Sequence, residues 1–217
     1  MSNDHAPNAI VFDWDNTLVN TWPVIHHALE KTYIAYDKKP MTLDEVMANV
    51  KYSLRDSFPE IFKDKWQEAR DEFYRNFEKV HLQDLVPIDG SKDFLDELSK
   101  LQIPMALVSN KTGRYLRLEA DHLDWSSFFI NIIGAGDAKQ DKPAVDPLIM
   151  ALQGSDIQID GAVWFVGDSE VDIQIAENAG CTGILLHTDS SKIEMKAVPD
   201  QVHQDFDSLY SEIRKYY

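Results

Sequence analysis

Apolar, strand-like runs alternate with helical patterns from residue 91 onward, and this order restricts the possible folds more than any other feature. The runs lie in "IPMALVSN", "FINIIGAGD", "AVWFVGDS" and "TGILLH", and helical patterns lie near residues 91–101, 113–123, 145–153, 170–180 and 206–215. Strands that alternate with helices form parallel sheets covered on both faces. Together with the apolar run at residues 9–12, the sequence predicts a three-layer α/β fold.

Residues 21–82 interrupt this order with helical patterns alone. Apolar residues recur at spacings of three and four in "TWPVIHHALEKTYIAY" and "DKWQEARDEFYRNFEKVHL", as on one face of a helix. Thr42 and Glu45 have the spacing of a capping box at a helix start. We therefore expect a core domain of residues 1–19 and 86–217, with an all-helical domain of residues 20–85 inserted after the first strand.

Composition argues against several classes of partner and compartment. The 37 acidic and 21 basic residues give a net charge of −16, which argues against a nucleic-acid or anionic-membrane surface. No apolar run approaches the roughly 18 residues needed to cross a bilayer. Cys181 is the single cysteine, and the first ten residues lack the basic start and apolar core of a secretory signal. We expect a cytoplasmic protein.

The first strand ends in two aspartates, Asp13 and Asp15, that are separated by one residue. Two like charges about 4 Å apart repel by about 4 kcal/mol at an effective dielectric constant of about 20. A nearby positive charge has to offset this repulsion, or one carboxyl group has to be protonated part of the time.

Further polar residues follow the first strand and the other predicted strands, and ligands of open α/β sheets bind at these carboxyl ends. They are Thr17, Ser109, Asn110, Asp168 and Asp172, together with Lys142 in the loop "DKPAVDP". Carboxylates suit Mg²⁺, and hydroxyl, amide and backbone N–H groups hold phosphate oxygens. The set therefore predicts a site for a phosphate group and a divalent cation.

The residues resemble the haloacid dehalogenase-like hydrolase superfamily over nearly the whole chain. "DWDNT", "VSN", the lysine of "DKPAVDP" and "GDSEVD" look like its four motifs in order. The resemblance implies a Rossmann-like core, and the helical insertion is similar to the cap domain of phosphoglycolate phosphatase-like members. It implies a phosphatase that acts on a small phosphorylated metabolite.

The resemblance also implies a role for each residue. Asp13 is the expected nucleophile, Asp15 the acid and base, and Lys142 the cation that stabilises the nucleophile and the phosphate. Phosphate binding falls to Thr17, Ser109 and Asn110. Mg²⁺ binding falls to Asp168, a carboxylate oxygen of Asp13 and the backbone carbonyl of Asp15, with Asp172 in support.

Two positions depart from the family pattern. Asn16 stands where glycine is frequent, and asparagine is the non-glycine residue most able to adopt a positive φ, so we expect the turn to be preserved. Asn20 stands where an acidic residue is common. It lies at the boundary between the two predicted domains, so this difference affects what we expect of the hinge there and not of the chemistry.

Two other functions remain open on the sequence. A phosphomutase of the β-phosphoglucomutase type would return the phosphoryl group to a second hydroxyl of its sugar substrate. A non-enzymatic binding module would be phosphorylated without turnover. A dehalogenase is disfavoured, because Asp15 and Asp168 would have no clear task in that reaction.

In the inserted domain, the candidates for substrate contact are His26, His27, Lys51, Tyr52 and Arg55. Lys111 and Arg114 follow the second motif, where they either add positive charge to the site or lie at the surface.

Overall fold

The structure is a computed structural model that describes residues 6–49, 54–186 and 195–217. The chain divides into two compact units, one comprising Met1–Val19 with Pro87–Tyr217 and the other Asn20–Val86. Within the described ranges, no helix combines the length and apolar character needed to cross a membrane.

The described strands of the first unit form a parallel sheet, as the alternating pattern predicted. The strands along the chain are β1 (Ala9–Phe12), β2 (Val19–Asn20), β3 (Val86–Pro87), β4 (Met105–Thr112), β5 (Phe129–Ala135), β6 (Val163–Gly167), β7 (Thr182–Leu186) and β8 (Gln201–His203). Six of them pair in the order β5-β4-β1-β6-β7-β8, and all five neighbouring pairs are parallel. A separate two-stranded sheet pairs β2 with β3.

The described helices agree with most of the predicted helical patterns. They are α1 (Trp22–Ala35), α2 (Leu43–Asn49), α3 (Leu54–Phe62), α4 (Trp66–Val80), α5 (Ser91–Lys100), α6 (Gly113–His122), α7 (Asp146–Ala151), α8 (Glu170–Ala179) and α9 (Phe206–Ile213). Short 3-10 turns lie at Lys63–Lys65 and Ser126–Phe128. The patterns did not predict α3, which contains Pro59, nor β8, whose three residues are too few to show a period.

Both faces of the sheet are covered, because neighbouring residues of a strand point to opposite faces. On one face, Val11 of β1 and Phe165 of β6 lie in a cluster of buried residues that also contains Leu148 of α7 and Ile175 of α8. On the other face Phe12 packs edge-on against Phe94 of α5 at 6.0 Å between ring centroids. Phe94 in turn lies 5.0 Å from Phe206 of α9. The core therefore has three layers, and β1 is buried throughout its length.

The second unit is helical in its described part. Helices α1 and α4 pack together. Phe73 and Phe77 of α4 are buried, and Trp66 is half-buried. The predicted capping box at the start of α2 is confirmed: the Thr42 amide donates to Glu45 Oε2 at 2.8 Å, and the Glu45 amide donates to Thr42 Oγ1 at 3.2 Å.

Candidate active site

The turn after β1 places Asp13 at the carboxyl end of the sheet and Asp15 just beyond it. The Asp13 amide donates to the carbonyl of Val166 on β6 at 2.9 Å, so the residue continues the sheet pairing. The Trp14 carbonyl accepts from Leu18 at 3.0 Å and closes the turn. Asn16 has a φ of 60°, which confirms the expectation that this turn needs a residue tolerant of the left-handed region.

Lys142 lies between two buried carboxylates. Its Nζ is 2.6 Å from Asp13 Oδ1 and 2.6 Å from Asp172 Oδ1, and all three side chains are buried. Burial alone would lower the pKa of Lys142, but the charges of Asp13 and Asp172 outweigh it and hold the pKa above its usual value. The ammonium group is therefore permanently charged and fixed against Asp13.

Ser109 and Asn110 lie in the last part of β4, which extends beyond the predicted strand end to Thr112. Ser109 is buried, and its hydroxyl accepts from the Lys111 amide at 3.2 Å. Asn110 is exposed and its side-chain amide donates to the Lys142 carbonyl at 3.2 Å. Thr17 is fully buried, and its hydroxyl donates to Asp13 Oδ2 at 3.5 Å. Asn110 and Thr17 thus contact the two residues, Lys142 and Asp13, that form the central ion pair.

Asp13, Asp168 and Asp172 form an acidic cluster in which one oxygen from each lies within 4.8 Å of the others. Burial, reinforced by Asp172 and Asp15 and opposed by Lys142, raises the pKa of Asp13 from 3.8 to about 6. Burial together with Asp172 and Asp13 raises the pKa of Asp168 well above its usual value. The negative charge of the cluster is therefore only partly balanced.

This donor set fits a hard divalent cation such as Mg²⁺, which prefers a few carboxylates. Within the cluster, Asp172 uses both of its oxygens elsewhere. Its Oδ1 contacts Lys142, and its Oδ2 accepts from the amide and the hydroxyl of Ser169 at 3.1 and 2.5 Å. Asp172 therefore fits the supporting role, which leaves Asp13 and Asp168 as the carboxylates most available to a cation.

Gly167 leaves no room for a side chain beside Asp172. A Cβ atom at this position would lie 2.3 Å from Asp172 Cγ, much closer than non-bonded carbon atoms approach. The glycine that ends β6 is therefore required for the first turn of α8 to carry Asp172 against the sheet.

Lys111 is a second buried lysine, and it contacts Asp15. Its other partner, Glu119, is not among the residues predicted for the site. Lys111 Nζ lies 2.6 Å from Asp15 Oδ1 and 2.6 Å from Glu119 Oε2 on α6. Trp14 Nε1 donates to the same Glu119 oxygen at 2.7 Å. Burial would lower the pKa of Lys111, but Asp15 and Glu119 outweigh it and raise the pKa. Arg114, the other cation after this motif, is exposed.

The sequence did contain a signal for Glu119. It lies three residues after Leu116 and directly before Ala120, on the apolar face of α6, and it is fully buried. A carboxylate on such a face needs a partner inside the protein.

The candidates in the inserted domain have partners within their own unit. His26 Nε2 is 3.1 Å from the Met41 carbonyl, and His27 Nδ1 is 2.8 Å from Asp84 Oδ2. Lys51 and Tyr52 lie outside the described residues, and so does the side chain of Arg55.

Comparison with known proteins gives the family. The family model described as haloacid dehalogenase-like hydrolase matches residues 10–186. The chain is 29% identical over 174 residues to the pyrophosphatase PpaX of Bacillus cereus, with 80% of each chain covered. It is 27% identical over 215 residues to the phosphoglycolate phosphatase of Photorhabdus laumondii, covering 94% of this chain and 92% of that protein.

A solved structure of a HAD-superfamily hydrolase from Ehrlichia chaffeensis superimposes with a TM-score of 0.67 at 28% identity, with 97% of each chain covered. The family match includes most of β1 and all three residues of the acidic cluster, and the parallel sheet order agrees with it. The chain belongs to the haloacid dehalogenase-like hydrolase family.

Proposed function

We propose that the protein is a Mg²⁺-dependent phosphatase that hydrolyses a small phosphomonoester through an aspartyl-phosphate on Asp13. The bonding of the Asp13 carboxylate is the observation that carries this proposal. Its Oδ1 is held 2.6 Å from Lys142 Nζ, whereas its Oδ2 accepts a long hydrogen bond of 3.5 Å from Thr17. Oδ2 is the more weakly bound oxygen and therefore the one suited to attack phosphorus.

The reaction divides into two displacements at phosphorus. In the first, Asp13 Oδ2 forms a bond to phosphorus while the bond to the leaving oxygen breaks, and Asp15 gives its proton to the departing alkoxide. In the second, Asp15 takes a proton from water, the water oxygen bonds to phosphorus, and the bond to Asp13 breaks. Inorganic phosphate leaves, and both aspartates return to their starting states.

The remaining residues bind and balance charge. Ser109, Asn110 and Thr17 are suited to hold the phosphate oxygens, and Lys142 stabilises negative charge on the transferring group. Asp13, Asp168 and the backbone carbonyl of Asp15 would hold Mg²⁺, with Asp172 in support. When bound, the cation neutralises charge on the phosphoryl group.

The proposed substrate is a small phosphorylated metabolite such as phosphoglycolate or a sugar phosphate. The relative named phosphoglycolate phosphatase matches 94% of the chain and supports this class. The net charge of −16 argues against nucleic acid or an anionic membrane as partner. A cytoplasmic setting fits the single cysteine, because a reducing compartment keeps thiols free.

The test is phosphate release from a panel of phosphomonoesters and pyrophosphate, with Mg²⁺ or with EDTA. Wild type and Asp13→Asn are compared, and Asp156→Asn, at an exposed position, serves as the control. We expect release that requires Mg²⁺, is lost in Asp13→Asn and is retained in Asp156→Asn. Mass spectrometry of the acid-quenched wild type would locate the phosphoryl group on Asp13.

Two results would replace this function by the alternatives. Isomerised sugar phosphate without free phosphate would identify a phosphomutase. A stable phosphoprotein without turnover would identify a phosphorylated binding module.

A further inference from the structure

Asp15, Lys111, Glu119 and Trp14 form a chain of buried polar contacts beside the acidic cluster. Lys111 Nζ contacts Asp15 Oδ1 and Glu119 Oε2, each at 2.6 Å, and its side chain is 8% exposed. Trp14 Nε1 contacts Glu119 from the other side at 2.7 Å. Three elements therefore contribute to the chain of contacts: the turn after β1, the end of β4 and helix α6.

Stability alone does not explain these contacts. Burying an ion pair costs desolvation energy, and an apolar pair of similar volume stabilises a core at least as well. Glu119 stands between Leu116 and Ala120 on the face of α6 that packs inward, where an apolar side chain would be the simpler choice. The contacts do, however, fix the one carboxyl group that the proposed reaction requires to move protons.

The two oxygens of Asp15 differ in their surroundings. Oδ1 is buried against the ammonium group of Lys111, whereas the side chain as a whole is 28% exposed. The accessible part of the carboxyl group is therefore on the Oδ2 side. The ammonium group of Lys111, 2.6 Å away, occupies Oδ1, so Oδ2 is the oxygen open to exchange a proton with a substrate or with water.

We propose that Lys111, itself held by Glu119, is a positioning residue that directs proton transfer by Asp15 through Oδ2. This inference rests on the proposed phosphatase function, in which Asp15 protonates the leaving oxygen. Lys111 does not touch the reacting atoms; it sets the rotation of the carboxyl group by covering Oδ1 and leaves Oδ2 facing the site. Glu119 and Trp14 hold Lys111 in place.

The test compares two substrates that differ in their need for a proton. An alkyl phosphate has a strongly basic leaving group that must be protonated as it departs, whereas p-nitrophenolate leaves without a proton. The parameter measured is kcat/KM, because it reports only on steps up to the first irreversible one and so excludes hydrolysis of the aspartyl-phosphate. The alkyl phosphate is the best substrate from the panel described above.

The variant is Lys111→Met/Glu119→Gln, which removes both charges of the buried Lys111–Glu119 pair and keeps an acceptor for Trp14 Nε1. It leaves Asp15, whose side chain is 28% exposed, without its cation. We expect kcat/KM to fall about 100-fold on the alkyl phosphate and by less than about 3-fold on p-nitrophenyl phosphate, since general acid catalysis contributes about 10²–10⁴. Asp15→Asn provides the reference and is expected to show the same dependence on the leaving group. Lys215→Met/Glu212→Gln is the matched control, because it changes an exposed Lys–Glu pair with the same 2.6 Å contact.

The outcomes separate this inference from the function on which it rests. The inference would be overturned if kcat/KM of the Lys111 double variant fell equally on both substrates, or did not fall on the alkyl phosphate, while the wild type was an active phosphatase. Equal losses in Asp15→Asn would overturn the acid role and the inference with it. Absence of Mg²⁺-dependent release from the wild type would overturn the function itself. If the double variant does not fold, Lys111→Gln, which can still donate to Glu119, gives the same comparison.

Discussion

Replacing Asp13 by asparagine is expected to stabilise the metal-free protein at neutral pH. Burial, reinforced by Asp172 and Asp15 and opposed by Lys142, raises the pKa of the Asp13 carboxyl from 3.8 to about 6. The charged form is therefore disfavoured in the folded state, by about 3 kcal/mol above pH 7. Asparagine has nearly the same shape and no charge, so the variant avoids this penalty.

The effect has a defined dependence on pH. Because the folded-state pKa is raised, the wild type takes up a proton on folding, and its free energy of unfolding decreases as pH rises from about 4 to about 6. Asparagine does not titrate, so the advantage of Asp13→Asn is expected to be about 3 kcal/mol at pH 7.5 and about 1 kcal/mol at pH 4.5. Urea unfolding in EDTA at the two pH values measures the difference.

Two controls accompany this experiment. Asp156→Asn, at an exposed position, is expected to change the free energy of unfolding by less than about 0.5 kcal/mol. Saturating Mg²⁺ should reduce the advantage of Asp13→Asn, because a cation at 100 times its Kd stabilises the wild type by about 2.7 kcal/mol. A variant that is no more stable than wild type at pH 7.5, or whose advantage does not change with pH, would refute the reasoning.

Three further results are expected. Lys142→Met should abolish phosphate release. It should also lower the free energy of unfolding at pH 7.5 by about 3 kcal/mol, because it leaves two buried carboxylates without their cation. An unchanged free energy of unfolding in urea would contradict this. Mg²⁺ affinity measured by calorimetry should weaken by at least about tenfold per pH unit below about 6, since protons compete with the cation for Asp13 and Asp168, and a flat profile would exclude both as ligands. Burial raises the pKa of the Cys181 thiol to about 12, so less than about a tenth of the native protein should react with a disulfide reagent at pH 8 until urea exposes the thiol. Rapid labelling of the native protein would contradict this expectation.

The architecture could be predicted from the sequence because its signals are local. A buried parallel strand shows as a continuous apolar run, and an amphipathic helix shows its period within a few turns. The ion pair of Lys142 with Asp13 joins residues 129 positions apart. It could be expected only because the resemblance to the haloacid dehalogenase-like superfamily implies that the lysine of the third motif stabilises the nucleophile of the first.

The contacts of Glu119 could not be predicted in the same way. Trp14 and Glu119 are 105 positions apart, and Glu119 belongs to none of the motifs that point to the sheet edge. Its place depends on how α6 is rotated about its own axis, which is decided by packing in three dimensions. The sequence does not decide whether Lys111 lies in the site or at the surface, because a lysine side chain can turn either toward a buried carboxylate or toward water.

Asp172 accepts a hydrogen bond at the start of α8 and also contacts the charged Lys142 in the site. Helix ends commonly open and close in local fluctuations that cost little free energy. The first turn of α8 differs, because the carboxylate that accepts from the Ser169 amide also contacts the buried ammonium of Lys142. Opening this turn would remove one of the two carboxylates that Lys142 contacts inside the protein. We therefore expect the beginning of α8 to open less readily than other helix ends of this protein.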